Sequence, residues 1–324
     1  AYRVCIMERI AQIVVISVLA SGPLVLGQTQ DASQVLTAAR EALGGDKLAT
    51  LQTLTIEGRV ARPTPSGTVE RAFEMNVKLP DKFLYREVLM AMSNMSVYRL
   101  SGFNGPAGLI DEIDQPPQVG HGGSGGGHGQ SAGGGMAPAK EMTPEQKRAQ
   151  RAAALLANKK EYAQLALGMF AAAPAVYPLQ FTYAGQAESP DGTAHVINVK
   201  DEGEFAARLF VHAKTHLPLM LIWMDKEPML TTTGHGGAEV HGSGARGQSD
   251  HGARVSTDAH TKEADASRRL VEFRLFYGNY KSVGGLRLPH TFQRMVEGKV
   301  TEELTFDRVL VNQKIDESRF RVSR

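Results

Sequence analysis

Cysteine is nearly absent from this chain. The one cysteine is Cys5, so the residues beyond it form no disulfide, offer no thiolate nucleophile and lend no sulfur to a metal. An excess of one charge is missing too. The 36 Lys and Arg against 34 Asp and Glu leave a formal net charge of +2, which gives no electrostatic reason to expect nucleic acid as a partner. There is no alternation of strand, helix and strand of the kind that builds a parallel sheet. With 42% hydrophobic and 22% charged residues, what remains is the composition of an ordinary folded protein held together by its core.

The chain opens with an export signal. Met7-Glu8-Arg9 precedes an apolar run from Ile10 to Leu26, and Val25-Leu26-Gly27 supplies small residues for cleavage before Gln28. Gln12, Ser17, Ser21 and Pro23 interrupt the run, which suits the h-region of a signal peptide better than a membrane span; a retained anchor is the alternative. Residues 1–6 read as a start-site artefact and 1–27 as the signal peptide. Residues 28–324 then form a single domain, periplasmic or secreted, with no cysteine to carry a lipid anchor.

Past the signal, Val35, Leu36, Ala39 and Leu43 recur at helical spacing and Gly44-Gly45 ends the helix. The period then falls to two. Leu54, Ile56 and Val60 alternate with polar residues, as do Phe73, Met75, Val77 and Leu79; strands follow over 83–90 and 97–103. Residues 116–142 are a Gly, Ser, Pro and Ala tract that cannot fill a core. Thr143-Pro144-Glu145-Gln146 is a capping box that starts a helix running to Phe170. Strands are expected over 179–183, 195–200, 207–213 and 219–224, then a second low-complexity insert at about 229–267. Residues 270–280, 286–296 and 300–311 read as closing hairpins, with Glu297-Gly298-Lys299 the tightest turn. The fold class is α+β, a strongly curved antiparallel sheet with a helical element.

Three stretches carry a resemblance. Ala42-Leu43-Gly44-Gly45-Asp46-Lys47-Leu48 runs into Leu54-Thr55-Ile56-Glu57-Gly58; Leu209 to Pro218 leads into an apolar strand; Tyr277 to His290 is followed by Val309 to Asn312 and Ile315-Asp316. Together they resemble the LolA-like superfamily of periplasmic lipoprotein carriers, which sort outer-membrane lipoproteins. The resemblance implies a half-open β-barrel whose concave side is covered by helices and whose apolar cavity accepts acyl chains. His212 stands where that pattern has an acidic turn residue, and the two inserts are departures from it.

If the cavity exists, its lining candidates are Phe73, Met75, Val77, Phe181, Tyr183, Leu209, Leu275 and Phe292 on strands, with Leu156, Leu167 and Phe170 on the long helix. The plainer reading of the same alternation is a dry core. Sheltering an acyl chain is worth about 0.8 kcal/mol per CH₂, so such a ligand binds without special chemistry.

Other motifs point elsewhere. Gly122-Gly123-Ser124-Gly125-Gly126 matches a nucleophile elbow in letters, and Gly120, Gly122 and Gly125 match a dinucleotide loop, but neither has the strand–turn–helix context its chemistry needs. His121 and His128 in the first insert, with His235, His241, His251 and His260 in the second, are weak candidate metal ligands that match no closed zinc spacing. His195, His212, His216 and His290 fall on strands or turns as structural residues. Lys147, Arg148, Arg151, Lys159 and Lys160 form a basic helix face, solvated by default or able to meet anionic headgroups or a transfer partner.

The expected function is a binding or carrier protein for a lipid or an acylated protein, not an enzyme, with no cofactor. Transient contact with the membrane or with envelope transport components would accompany it, and nucleic acid would not. The alternatives are a non-transporting envelope protein on the same scaffold and a metal binder acting through its His-rich loops.

Overall fold

The computed structural model describes residues 31–92, 95–114, 142–189, 192–228 and 268–322. The signal segment, both Gly-rich motifs and the six insert histidines lie outside these residues. Helix α1 is Ala32–Leu43 and α2 Asp46–Ala49. Strands β1 Thr53–Thr64, β2 Gly67–Lys78, β3 Lys82–Met92, β4 Met95–Asn104 and β5 Gly108–Asp114 follow as successive hairpins. Helix α3, Pro144–Phe170, leads to β6 Gln180–Ser189, β7 Gly192–Lys200, β8 Ala206–His212 and β9 Pro218–Lys226. The chain closes with β10 Leu270–Gly278, β11 Lys281–Val283, β12 Leu286–Leu288, β13 Thr291–Val296 and β14 Lys299–Val311.

One 12-stranded sheet has the order β5-β4-β3-β2-β1-β14-β13-β10-β9-β8-β7-β6. Neighbouring strands are antiparallel. Each half of the chain supplies a meander, and β1 and β14 join the halves at the centre, with Leu54 opposite Val311 and Ile56 opposite Val309. The edges, β5 and β6, are consecutive strands, so the chain must cross from one edge to the other, and α3 lies on that crossing.

The sheet is strongly curved. Asn158 Nδ2 donates to Gly102 O on β4 at 3.1 Å, and two residues on Lys160 Nζ meets Asp225 Oδ2 on β9 at 2.5 Å. Seven strand spacings separate β4 from β9, from β3 through β10 in the sheet order, or roughly 34 Å on a flat sheet. A helix only about 10 Å across reaches both, so the sheet wraps around it without closing.

This explains the burial of α3. Residues 162–170 are all buried, whatever side of the helix they occupy, because strands surround that half; before Tyr162 the helix is mostly exposed. Leu54, Ile56, Val60, Phe73, Met75, Val77, Phe83, Leu209, Leu275 and Phe292 form the concave core with it and with Val35, Leu36, Ala39 and Leu43 of α1. The capping box closes as its spacing predicts: Thr143 Oγ1 accepts from Gln146 N at 3.2 Å and Gln146 Oε1 from Thr143 N at 2.7 Å.

The sequence reading differs from the structure in several places. Strand β5 and the short helix α2 have no counterpart in it. The strand expected over 286–296 is broken at Pro289-His290 into β12, which pairs with β11, and β13, which belongs to the main sheet. Residues 312–322 also add a strap on the convex face, where Ile315 and Phe320 pack with Leu84 and Ile110. There Glu317 pairs with Lys78 and Lys82, and Arg319 with Glu74.

Candidate ligand cleft and the charged cluster

Small residues leave room where α3 ends. Ala171 adopts a left-handed conformation (φ 47°) that stops the helix, and Ala172-Ala173-Pro174-Ala175 follow without a bulky side chain. Opposite them, Gly44 and Gly45 turn the chain from α1 into α2, with both glycine N–H groups directed to carbonyls of Arg40 or Glu41. Between these ends and the Leu79-Pro80 turn joining β2 to β3 lies a cleft of about 430 Å³. Its walls are Leu48, Ala49, Leu79, Pro80, Tyr162, Ala166, Phe170 and the Ala172–Ala175 run, and Arg40, Glu41 and Asp46 sit at its rim. That volume falls in the ordinary range of small-molecule sites, and the apolar walls suit hydrocarbon.

Of the lining candidates, Phe170 reaches this cleft. Phe73, Met75, Val77, Leu167, Leu209, Leu275 and Phe292 are buried against other side chains in the main core, and Phe181 and Tyr183 pack partly buried against it on edge strand β6. Leu156 lies outside this cleft and is 56% exposed, on the side of α3 turned away from the core that Leu155 packs against. The small-residue run after α3 was the one sequence signal for the cleft; the rim charges had none.

Two tyrosines pin α3. Tyr277 Oη donates to Gln164 O at 2.8 Å, and Tyr280 Oη reaches Pro218 O at 2.8 Å and Gly168 O at 3.2 Å. Burial pushes both phenols upward, so they stay neutral donors. The basic face of α3 is partly tied down rather than solvated. Lys159 Nζ donates to Pro106 O at 2.6 Å, and Lys160, paired with Asp225, also lies over the Phe205 ring at 5.2 Å.

At the β1–β2 hairpin end the concave face carries charges instead. Arg62 holds Glu87 in a bidentate pair at 2.6 and 2.9 Å and Glu302 at 2.8 Å; Arg71 adds a contact to Glu87 at 3.2 Å. Arg294 extends the chain to Glu302 at 3.7 Å and to Glu161 of α3 at 3.5 Å. Burial alone would raise the Glu87 carboxyl, but the hydrogen bonds and charge of Arg62 and Arg71 outweigh it and hold Glu87 below the usual range.

The histidines on strands and turns have structural partners. His195 is buried beside Tyr183 Oη at 3.2 Å, and burial lowers its pKa. His290 Nδ1 lies 3.0 Å from Leu288 O, and burial lowers it as well. His212 Nδ1 accepts from Lys214 N and Thr215 N at 3.0 and 3.1 Å, doing for the turn what the expected acidic side chain would do. Among the described residues no group of three or more His, Cys, Asp or Glu is placed to hold a metal, and no helix is long and apolar enough to cross a membrane.

The chain is similar to several solved structures. One is an outer membrane lipoprotein-sorting protein domain from Vibrio parahaemolyticus, 9% identical, with 89% of this chain and 97% of that one covered and a TM-score of 0.44. A LolA superfamily protein from Nitrosomonas europaea is 10% identical over 90% of this chain and 98% of its own, with a TM-score of 0.43. A DUF1329 family protein from Desulfovibrio piger is 10% identical with the same coverages and a TM-score of 0.46. No family model matches the chain, and no curated protein does. The architecture rests on the chain's own strand order and register.

Proposed function

We propose that this chain is an exported binding or carrier protein for an apolar ligand, a lipid or the acyl chain of a lipoprotein. The observation that carries the reading is the cleft of about 430 Å³ with apolar walls and a charged rim, framed by two helix ends and the β2–β3 turn. The export signal and the resemblance to lipoprotein carriers support it. Most of the concave face is packed shut by α3, so the ligand enters beside that helix rather than beneath it. An acyl chain buried there gains about 0.8 kcal/mol per CH₂, so ten methylenes supply about 8 kcal/mol toward the cost of association. Nothing about the cleft requires the ligand to react.

The test is native mass spectrometry of the chain purified without detergent, followed by lipid extraction. A bound lipid released on denaturation is the expected result, as is at least tenfold weaker uptake of a fluorescent fatty acid by Ala173→Trp, whose indole fills the cleft. A chain that stays free when lipids are offered would overturn the proposal.

A further inference from the structure

The cleft is electrostatically lopsided, and this says which polar end its occupant carries. Helix α1 ends at Leu43 and α3 at Phe170, and both C-termini converge on it. Each helix C-terminus carries the negative end of a helix dipole, roughly half a charge, although Gly44 N, Gly45 N, Ala171 N and Tyr280 Oη already donate to carbonyls of these last turns. Glu41 and Asp46 add two exposed carboxylates at the same rim. The Glu41 carboxylate leans over Gly45, with Oε2 2.7 Å from the place a Cβ would take there, so it roofs the gap between α1 and α2.

Against these stands Arg40 alone. Its guanidinium donates to Ala171 O at 3.3 Å and to Thr37 Oγ1 at 3.1 Å, so it bridges the two helix ends and leaves the carboxylates unmatched. The last turn of α3 has no basic residue, although cations are favoured there. Lys47, the next cation along the chain, packs its stem against Gly285 and is not among the cleft residues. Anionic headgroups therefore meet a negative rim, and a cation placed there completes it.

Resting on the ligand reading above, we infer that the cleft prefers a single alkyl or acyl chain whose polar end is a positively charged ammonium. The tail lies along Leu79, Tyr162, Ala166 and Phe170, and the head sits between Glu41, Asp46 and the carbonyl ends of α1 and α3.

The test compares dodecyltrimethylammonium, dodecyl maltoside and dodecyl sulfate, each below its micelle concentration, by displacement of an uncharged fluorescent fatty alcohol from the full chain. The expected order is ammonium, then maltoside, then sulfate. The ammonium compound should bind about tenfold more tightly than the sulfate at low salt, with the ratio shrinking as salt rises. Glu41→Gln with Asp46→Asn should bring the ratio to about two, chiefly by weakening the ammonium compound. Equal or tighter binding of the sulfate, with the maltoside still bound, would overturn this inference and leave the apolar cleft intact. Failure of all three to bind would overturn the cleft reading as well.

Discussion

Gly168 is where one atom decides how α3 sits. A Cβ there would lie 2.6 Å from Tyr277 Cε1, and the ring cannot swing away because its hydroxyl is held by Gln164 O. Helix propensity favours alanine over glycine by about 1 kcal/mol, whereas overpacking a buried site costs about 1–3 kcal/mol. The clash should win. Gly168→Ala is expected to destabilise the protein by about 1–2 kcal/mol in urea unfolding, and a stabilised variant would show that α3 is free to shift. Helical periodicity alone cannot reveal this constraint, since it shows that residue 168 is on a helix and not that a tyrosine from β10 lies against it.

Helix α3 behaves as two elements. Residues 162–170 are enclosed by the sheet, while most of 144–157 faces water, its first turn closed by the capping box and Leu155 packed against the core. Local opening follows packing more than hydrogen-bond pattern. Amide hydrogen exchange should therefore be fast over 145–156 and slow over 162–170, with a difference in protection of at least a hundredfold. Uniform protection along the helix would mean the outer half is covered in solution. The helix was legible in sequence from Thr143 to Phe170, yet its division was not: Leu156 and Leu167 look alike in the pattern, and only the edge of the curved sheet separates them.

Over the whole molecule the ionisable groups on the concave side give stability a direction in pH. The folded state holds Glu87 below its ordinary value, so the stability it contributes is present above about pH 4.5 and is lost as pH falls toward its folded value. His195 and His290 are also lowered; their neutral forms are favoured in the fold, so stability starts to fall as pH drops through about 6.5, where the unfolded chain takes up protons first. Urea midpoints should decline gently from pH 7 to 5 and more steeply below. Glu87→Gln should flatten the steeper limb and reduce stability at neutral pH by roughly 2 kcal/mol, since it leaves Arg62 and Arg71 without their shared carboxylate. A steeper limb unchanged in that variant would assign acid sensitivity to other groups.

Sequence by itself determined which residues alternate and which recur at helical spacing. It therefore located α1, α3 and most strands, because period and capping are local properties of the chain. Its alternation marked the strand residues Phe73, Met75, Val77, Leu209, Leu275 and Phe292 as apolar, and these are buried, since burial on one face of a sheet leaves a two-residue trace. Tertiary structure alone decided that β1 and β14 meet at the centre, that α3 fills the curve and turns most of those apolar residues into core, and that an apolar-walled cleft opens beside Ala172–Ala175. It also assembled Arg62, Arg71, Glu87, Glu161, Arg294 and Glu302 from separate elements. Contacts between residues far apart in the chain, such as Arg62 with Glu302 at a separation of 240 positions, depend on strand order and curvature, and neither leaves a mark on local spacing.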